Sequence, residues 1–306
     1  MVNRVDKIKE SVKKFGYLLK VTFIKWKDRD PFNNSNIIAY YTIFSLPGLL
    51  VIVINLAGYF FGKEAVSHQI AGQIGGIIGG DTAKDIQEII AKTSQNKGLT
   101  ISSIIGILVL LFGATGVFYQ VQQMLNKIWD VEAKPKQKIL KLVRDRVFSF
   151  GLILVIAFLL LVSLVLSAGL SALSDWVSVH ISESLMIAFR LLDIVISIAV
   201  ITLLFASIFK FLPDVKISWK EVWGGAFLTS VLFVIAKFAL GIYFGNSNPA
   251  STYGAAGSVI LIMLWVSYAG LILLFGAEFT KIYATQDGKK MAPIEGAMLV
   301  EREDSK

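Results

Sequence analysis

Cysteine is missing altogether, and histidine occurs only at His68 and His180. Without thiols there are no disulfides and no thiolate metal sites, and redox chemistry says nothing about compartment. The two histidines fall outside the long apolar runs, no HExxH or HxHxDH pattern exists, and no GxSxG or Walker-type loop occurs. Zinc hydrolases, serine hydrolases and ATP-driven pumps thereby lose their usual machinery. No catalytic residue, metal ligand or cofactor is assigned. Charge is scarce as well: 17% of the 306 residues are Asp, Glu, Lys or Arg, against about 25% in an ordinary soluble domain. No sustained repeat or low-complexity tract divides the chain.

What fills the space is hydrocarbon. Hydrophobic residues make up 55% of the chain and mean hydropathy is +0.67. They gather in six runs, roughly Ile37 to Phe61, Leu99 to Tyr119, Val147 to Leu173, Leu185 to Phe209, Val222 to Phe244 and Ala255 to Phe279. Each is near or above the ~20 residues that cross a bilayer core. The expected fold is all-α: a polytopic membrane protein of six transmembrane helices. No short apolar stretch with a small-residue cleavage site precedes the first run, so that helix is expected to stay as an anchor.

Basic residues orient it. Nine lie before the first run, seven between Lys127 and Arg146, three at Lys210, Lys216 and Lys220, and five after the last run, together 24 of the 30 Lys and Arg. The intervening loops hold few or none. By the positive-inside rule both termini are expected in the cytoplasm, and the net charge of +8 is a topology signal rather than a nucleic-acid one.

Three parts are expected: a cytoplasmic amphipathic segment over residues 1–35, an integral domain over 36–283, and a flexible cytoplasmic tail over 284–306. In the first, Val5, Ile8, Val12, Phe15, Leu19, Phe23 and Trp26 recur at helical spacing among lysines, which suits a helix in the membrane interface. The same pattern serves a helix packed on the cytoplasmic end of the bundle. The external loop 62–98 is long enough for structure of its own, with one stripe at Val66, Ile70, Ile74 and Ile77 and a second at Ile86, Ile89 and Ile90. The helix of the second run is expected to continue through Gln122, Asn126 and Trp129, with Pro135 breaking it.

Ionisable residues within apolar helices cost about 2.5–3.5 kcal/mol where lipid-exposed, so they are the best functional markers available. Arg190, Asp193 and Ser197 share one face of the fourth run, and Lys237, Gly241 and Gly245 one face of the fifth. Counted at about 1.5 Å per residue, Arg190, Asp193 and Lys237 all fall in the outer half, where Asn55 of the first run also reaches. One reading is an outward-facing polar cavity that binds an anionic group. The other is a buried ion pair bracing two helices. Gly241 and Gly245 serve equally for packing within the chain or between copies, so a homo-oligomer stays open. Pro47 predicts a kink. Gly254 and Gly257 permit close approach or unwinding at the start of the last helix, and Glu278 with Lys281 forms an i, i+3 pair at its inner end.

Three stretches carry a family resemblance: IIAYYTIFSLPGLL in the first run, LNKIWDV after the second, and YGAAGSVILIMLWVSYAGLILLFGAEFTKIYA at the end. Across residues 20 to 285 the chain resembles the YihY / virulence factor BrkB family of bacterial membrane proteins, whose members were long labelled ribonuclease BN. The resemblance implies a multi-pass protein of the bacterial inner membrane, linked to envelope integrity and to export of lipids or glycolipids, with no catalytic residues to carry over. The expected function is transport or handling of an anionic lipid or amphiphile through the outer polar layer, with membrane lipids as partners. The alternatives are a scaffold recruiting envelope-biogenesis proteins and, on the older label alone, a membrane-bound nuclease.

Overall fold

The computed structural model describes residues 4–62, 101–134, 183–247, 256–286, 288–289 and 291–300, together with scattered positions in 64–88 and at 151. Six helices are described: α1 (Arg4–Asp28), α2 (Pro31–Phe61), α3 (Ile101–Trp129), α4 (Glu183–Phe211), α5 (Trp219–Ser247) and α6 (Gly257–Thr285). Four short strands accompany them: β1 (Val131–Ala133), β2 (Val215–Lys216), β3 (Ala292–Pro293) and β4 (Ala297–Leu299).

Among the described residues four stretches are long and apolar enough to cross a membrane: Pro31–Asn55, Ile194–Phe211, Trp219–Phe244 and Gly257–Thr285. They coincide with the first, fourth, fifth and sixth apolar runs. The second run falls on α3, whose 29 residues extend about 43 Å. The third lies outside the described residues apart from Gly151, and so do most of the two small helices expected in 62–98. Val66 is described, and it is buried with Leu50, Ile54, Phe244, Leu261 and Ile262 at the ends of α2, α5 and α6 remote from the basic loops.

Helix α6 is central, packing on α2, α5 and α1, while α2 also packs on α3 and α4 on α5. Without a strong hydrophobic drive between helices in lipid, close backbone approach has to come from small residues. Between α5 and α6 it is reciprocal. A Cβ on Gly225 would lie 1.7 Å from Thr280 Oγ1, and one on Gly276 would lie 1.8 Å from Thr229 Oγ1. Each threonine fills the other helix's glycine notch and donates its hydroxyl hydrogen to a carbonyl one turn back, Thr229 to Gly225 and Thr280 to Gly276. Ser35 of α2 closes on Gly270 of α6 in the same manner, with 3.1 Å from a built Cβ. Ser45 of α2 accepts a hydrogen bond from the Val117 amide of α3 beside Gly116. Helix α2 runs as one helix through Pro47.

Among the described residues the larger buried cluster lies at the basic end. Phe209, Leu125, Val131 and Val222 are fully buried there, in a cluster that joins α3, α4, α5 and α6. Two ribbons cover this end, and both use the segment expected to be a flexible tail. β4 pairs antiparallel with β1 just after α3, and β3 with β2 just after α4. Residues 291–299 therefore strap the ends of two helices, because the apolar Ala297 and the main-chain groups of 292–299 find partners on the bundle instead of water. The described residues are mostly helical, as expected, and these two short ribbons are the additions to the helices. Helix α3 runs through Gln122, Asn126 and Trp129 as expected, but Asp130, at φ 52°, ends it five residues before Pro135.

Candidate functional site

Two sharp corners build a cluster of ion pairs among the described residues. Asp30 (φ 52°) turns the chain from α1 into α2, with Pro31 at the first helical position, and Asp130 turns it from α3 into β1. Aspartate tolerates this left-handed conformation better than most residues, and proline suits a helix start. The corners bring Arg29 and Asp130 together, with Arg29 Nη1 3.1 Å from Asp130 Oδ1. On its other side Arg29 Nε lies 2.9 Å from Glu278 Oε2 of α6. Glu278 is 2% exposed, and this contact is ionic rather than an aligned hydrogen bond. Lys281, one turn further along α6, reaches Asp130 from the opposite side at 2.5 Å.

The same two cations also cap α3. Arg29 Nη1 donates to the Lys127 carbonyl at 2.6 Å and Lys281 Nζ to the Ile128 carbonyl at 2.8 Å. These are carbonyls that a helix end leaves without intrahelical partners, at the negative pole of its dipole. Burial works against the charge on Asp130, but hydrogen bonds from Arg29 and Lys281 and the nearness of both cations hold its carboxyl below the ordinary 3.8. Glu278 and Lys281, expected as an i, i+3 pair, make their closest ionic contacts to other elements, Glu278 to Arg29 and Lys281 to Asp130. Beside this ionic knot of Arg29, Asp130, Glu278 and Lys281 lies a small cleft lined by Trp26, Asn34 and Lys127 among others. The indole Nε1 of Trp26 is buried there with no hydrogen-bond partner among the described residues.

A second buried carboxylate sits under the other ribbon. Asp214 accepts from Asn126 Nδ2 at 2.6 Å, and its own amide donates to Asn126 Oδ1 at 2.8 Å. Gln122 Nε2 reaches it at 3.4 Å, and the Asp214 carbonyl accepts from the Ile294 amide at 3.0 Å. Asn126 thereby ties α3 to the α4–α5 turn, and the Asp214 carbonyl ties that turn to the C-terminal strap.

The outer-layer residues singled out from sequence fall as follows. Lys237 is half-buried on α5, and no hydrogen bond or ion pair joins it to a described residue. Ser197 is half-buried on α4 and Asn55 is exposed on α2, donating to the Val51 carbonyl one turn back. Arg190 and Asp193 lie on α4 and Gly245 on α5, but their side chains are outside the described residues, as is all of Gly254. Gly257 opens α6 and is buried. A Cβ on Gly241 would meet nothing within 4 Å among the described residues. No group of three His, Asp or Glu that could hold a metal ion occurs among the described residues. Sequence reasoning missed Arg29, Asp130, Asn126 and Asp214 as cluster members. The available signal was the LNKIWDV stretch itself, which carries Asn126, Lys127 and Asp130.

The model of the family described as Virulence factor BrkB matches residues 22–297, from inside α1 to the first residue of β4, so it takes in every charged group of the knot. The chain belongs to the virulence factor BrkB family. Among curated proteins it is 24% identical over 284 residues to a UPF0761 membrane protein of Saccharophagus degradans, covering 92% of this chain and 63% of that protein. It is 26% identical over 281 residues to one of Teredinibacter turnerae, covering 90% and 63%. It is also 23% identical to the ribonuclease-like protein YfkH of Bacillus subtilis, covering 86% and 94%. The chain spans less than two thirds of the first two relatives. No solved structure matches it. This BrkB-family chain is a multi-pass membrane protein, on its membrane-protein relatives and the four apolar spans among its described residues.

Proposed function

We propose that this BrkB-family protein is a non-enzymatic inner-membrane protein that handles an anionic lipid or similar amphiphile in the outer half of the bilayer. It would have six crossings and both termini in the cytoplasm. The observation that carries this reading is Lys237. It lies 18 residues from the start of α5 and 10 from its end, about 27 Å and 15 Å along the axis. It has no partner among the described residues, and Ile235, Phe238 and Ile242 around it are exposed as lipid-facing side chains would be. A cation at that depth is costly unless an anion meets it, and an anionic headgroup arriving laterally supplies one.

The test is the lipid that accompanies the protein through purification, measured by mass spectrometry for the native chain, Lys237→Met and Lys237→Arg. Loss of one lysine–anion contact of about 1 kcal/mol should lower the anionic-to-zwitterionic ratio about fivefold in Lys237→Met. Lys237→Arg should keep it. An unchanged ratio in Lys237→Met would leave this residue as a brace and remove the support for lipid handling.

A further inference from the structure

Helix α1 has more binding surface than the bundle uses. Among the described residues, its buried contact with the bundle is a narrow stripe of Leu18 and Thr22, both buried, and half-buried Trp26, one turn apart from each other, with Phe15 at its edge. That stripe packs on the last part of α6. The ring of Trp26 meets that of Phe275 edge-on at 5.9 Å and the ring of Phe15 meets Phe279 at 6.0 Å. Phe279 and Phe275 precede the end of α6 at Thr285 by 6 and 10 residues, about 9 and 15 Å. Because α6 is one of the apolar spans, this contact places α1 beside the basic end of a candidate crossing, within reach of the leaflet on that side.

The rest of α1 has the chemistry for that leaflet. At 100° per residue, Lys9, Lys13, Lys20 and Lys27 project opposite the stripe on α6, and all are exposed. Tyr17 and Ile24 flank this ridge on one side and Val12 and Phe23 on the other, with Tyr17 66% and Val12 65% exposed. Large exposed apolar side chains beside a lysine ridge are a liability in water and an asset at an anionic interface. On α5, Trp219, Trp223 and Phe227 are likewise exposed at successive turns near the same end, as in the aromatic belt of a membrane boundary.

We propose that α1 is an anionic-lipid docking element, with one face fixed to α6 and the remainder seated in the leaflet on the basic side. The flanking apolar side chains enter the acyl boundary, and Lys9, Lys13, Lys20 and Lys27 reach lipid phosphates along stems that snorkel upward. The seat has a structural consequence, because α1 runs straight into Arg29, which holds Glu278 and Asp130. Lipid charge on that leaflet therefore supports the knot from outside. This is independent of any ligand at Lys237.

The chain has no cysteine, so a single cysteine can be placed at Tyr17 or Phe23 and spin-labelled in the full-length protein. The protein goes into nanodiscs of phosphatidylcholine alone or of equimolar phosphatidylcholine and phosphatidylglycerol, and collision with a water-soluble relaxation agent reports immersion. Immersion should rise in the anionic discs. A Lys9, Lys13, Lys20, Lys27→Gln variant, which leaves the α6 contact untouched, should abolish the difference, each lysine contributing about fivefold to the immersed-to-free ratio. Equal water access in both discs would overturn the proposal. So would label protection traced by dipolar broadening to a second copy of the chain.

Discussion

Gly225→Ala should cost about 3 kcal/mol, the upper end of what overpacking takes from a tight interface, although it adds a single methyl group. The new Cβ would stand 1.7 Å from Thr280 Oγ1, and turning the hydroxyl away does not help, since Thr280 Cβ is still 2.8 Å off. Rotation would also break the bond from Thr280 to the Gly276 carbonyl. Helices α5 and α6 would have to separate, and the interlock of Thr229 in the Gly276 notch would open with them. Thermal unfolding in detergent, followed by the fraction remaining soluble, reads the effect. The informative control is Gly225→Ala with Thr280→Gly, which removes the obstructing side chain and leaves Thr280's backbone at 3.2 Å. The pair should be more stable than Gly225→Ala alone, even though glycine in a helix costs about 1 kcal/mol. Additive losses would mean that the two residues do not meet.

Arg29→Met should be comparably damaging, at about 3–5 kcal/mol, because it leaves Glu278 buried without its cation. Three elements lose a tie at once: Glu278 on α6, Asp130 after α3, and the Lys127 carbonyl at the end of α3. Asp130 keeps Lys281, so the ribbon of β1 and β4 should survive when the α1 corner loosens. Arg29→Met with Glu278→Met replaces the ion pair by apolar side chains of similar reach and should recover most of the loss, a coupling that a double-mutant cycle measures directly. A wild-type melting curve for Arg29→Met would show that the knot is decoration.

These two predictions also mark where sequence reading reaches its limit. Apolar runs announce α2, α4, α5 and α6 because crossing a bilayer requires some 20 apolar residues in one stretch, which is a local property. The glycine interlock is not local. Gly241 and Gly245 satisfy the small-residue spacing, but so do Gly225 with Thr229 and Gly276 with Thr280, and only the partner helix decides which pair is used. Arg29 was visible only as one of nine basic residues that orient the chain, and its partner Glu278 lies at the far end of the sequence. Nothing in either residue's neighbourhood names the other. The strap escaped for a different reason: two strands of two and three residues are too short to show alternation, and their pairing depends on main-chain groups that every sequence carries. Glu278 and Lys281 were recognisable as an inner-end polar pair, but spacing along one helix could not reveal that each is committed to a residue outside it.

Lys237 is where the functional reading is most exposed to experiment. Lys237→Cys in the otherwise cysteine-free chain can be treated with a charged, membrane-impermeant thiol reagent in right-side-out and in inverted vesicles, and modification scored by mass. If the outer half of the bundle holds a polar cavity for an anionic amphiphile, the thiol is modified from outside only. Modification from the cytoplasmic side, or from neither side, would contradict an outward-facing site at Lys237.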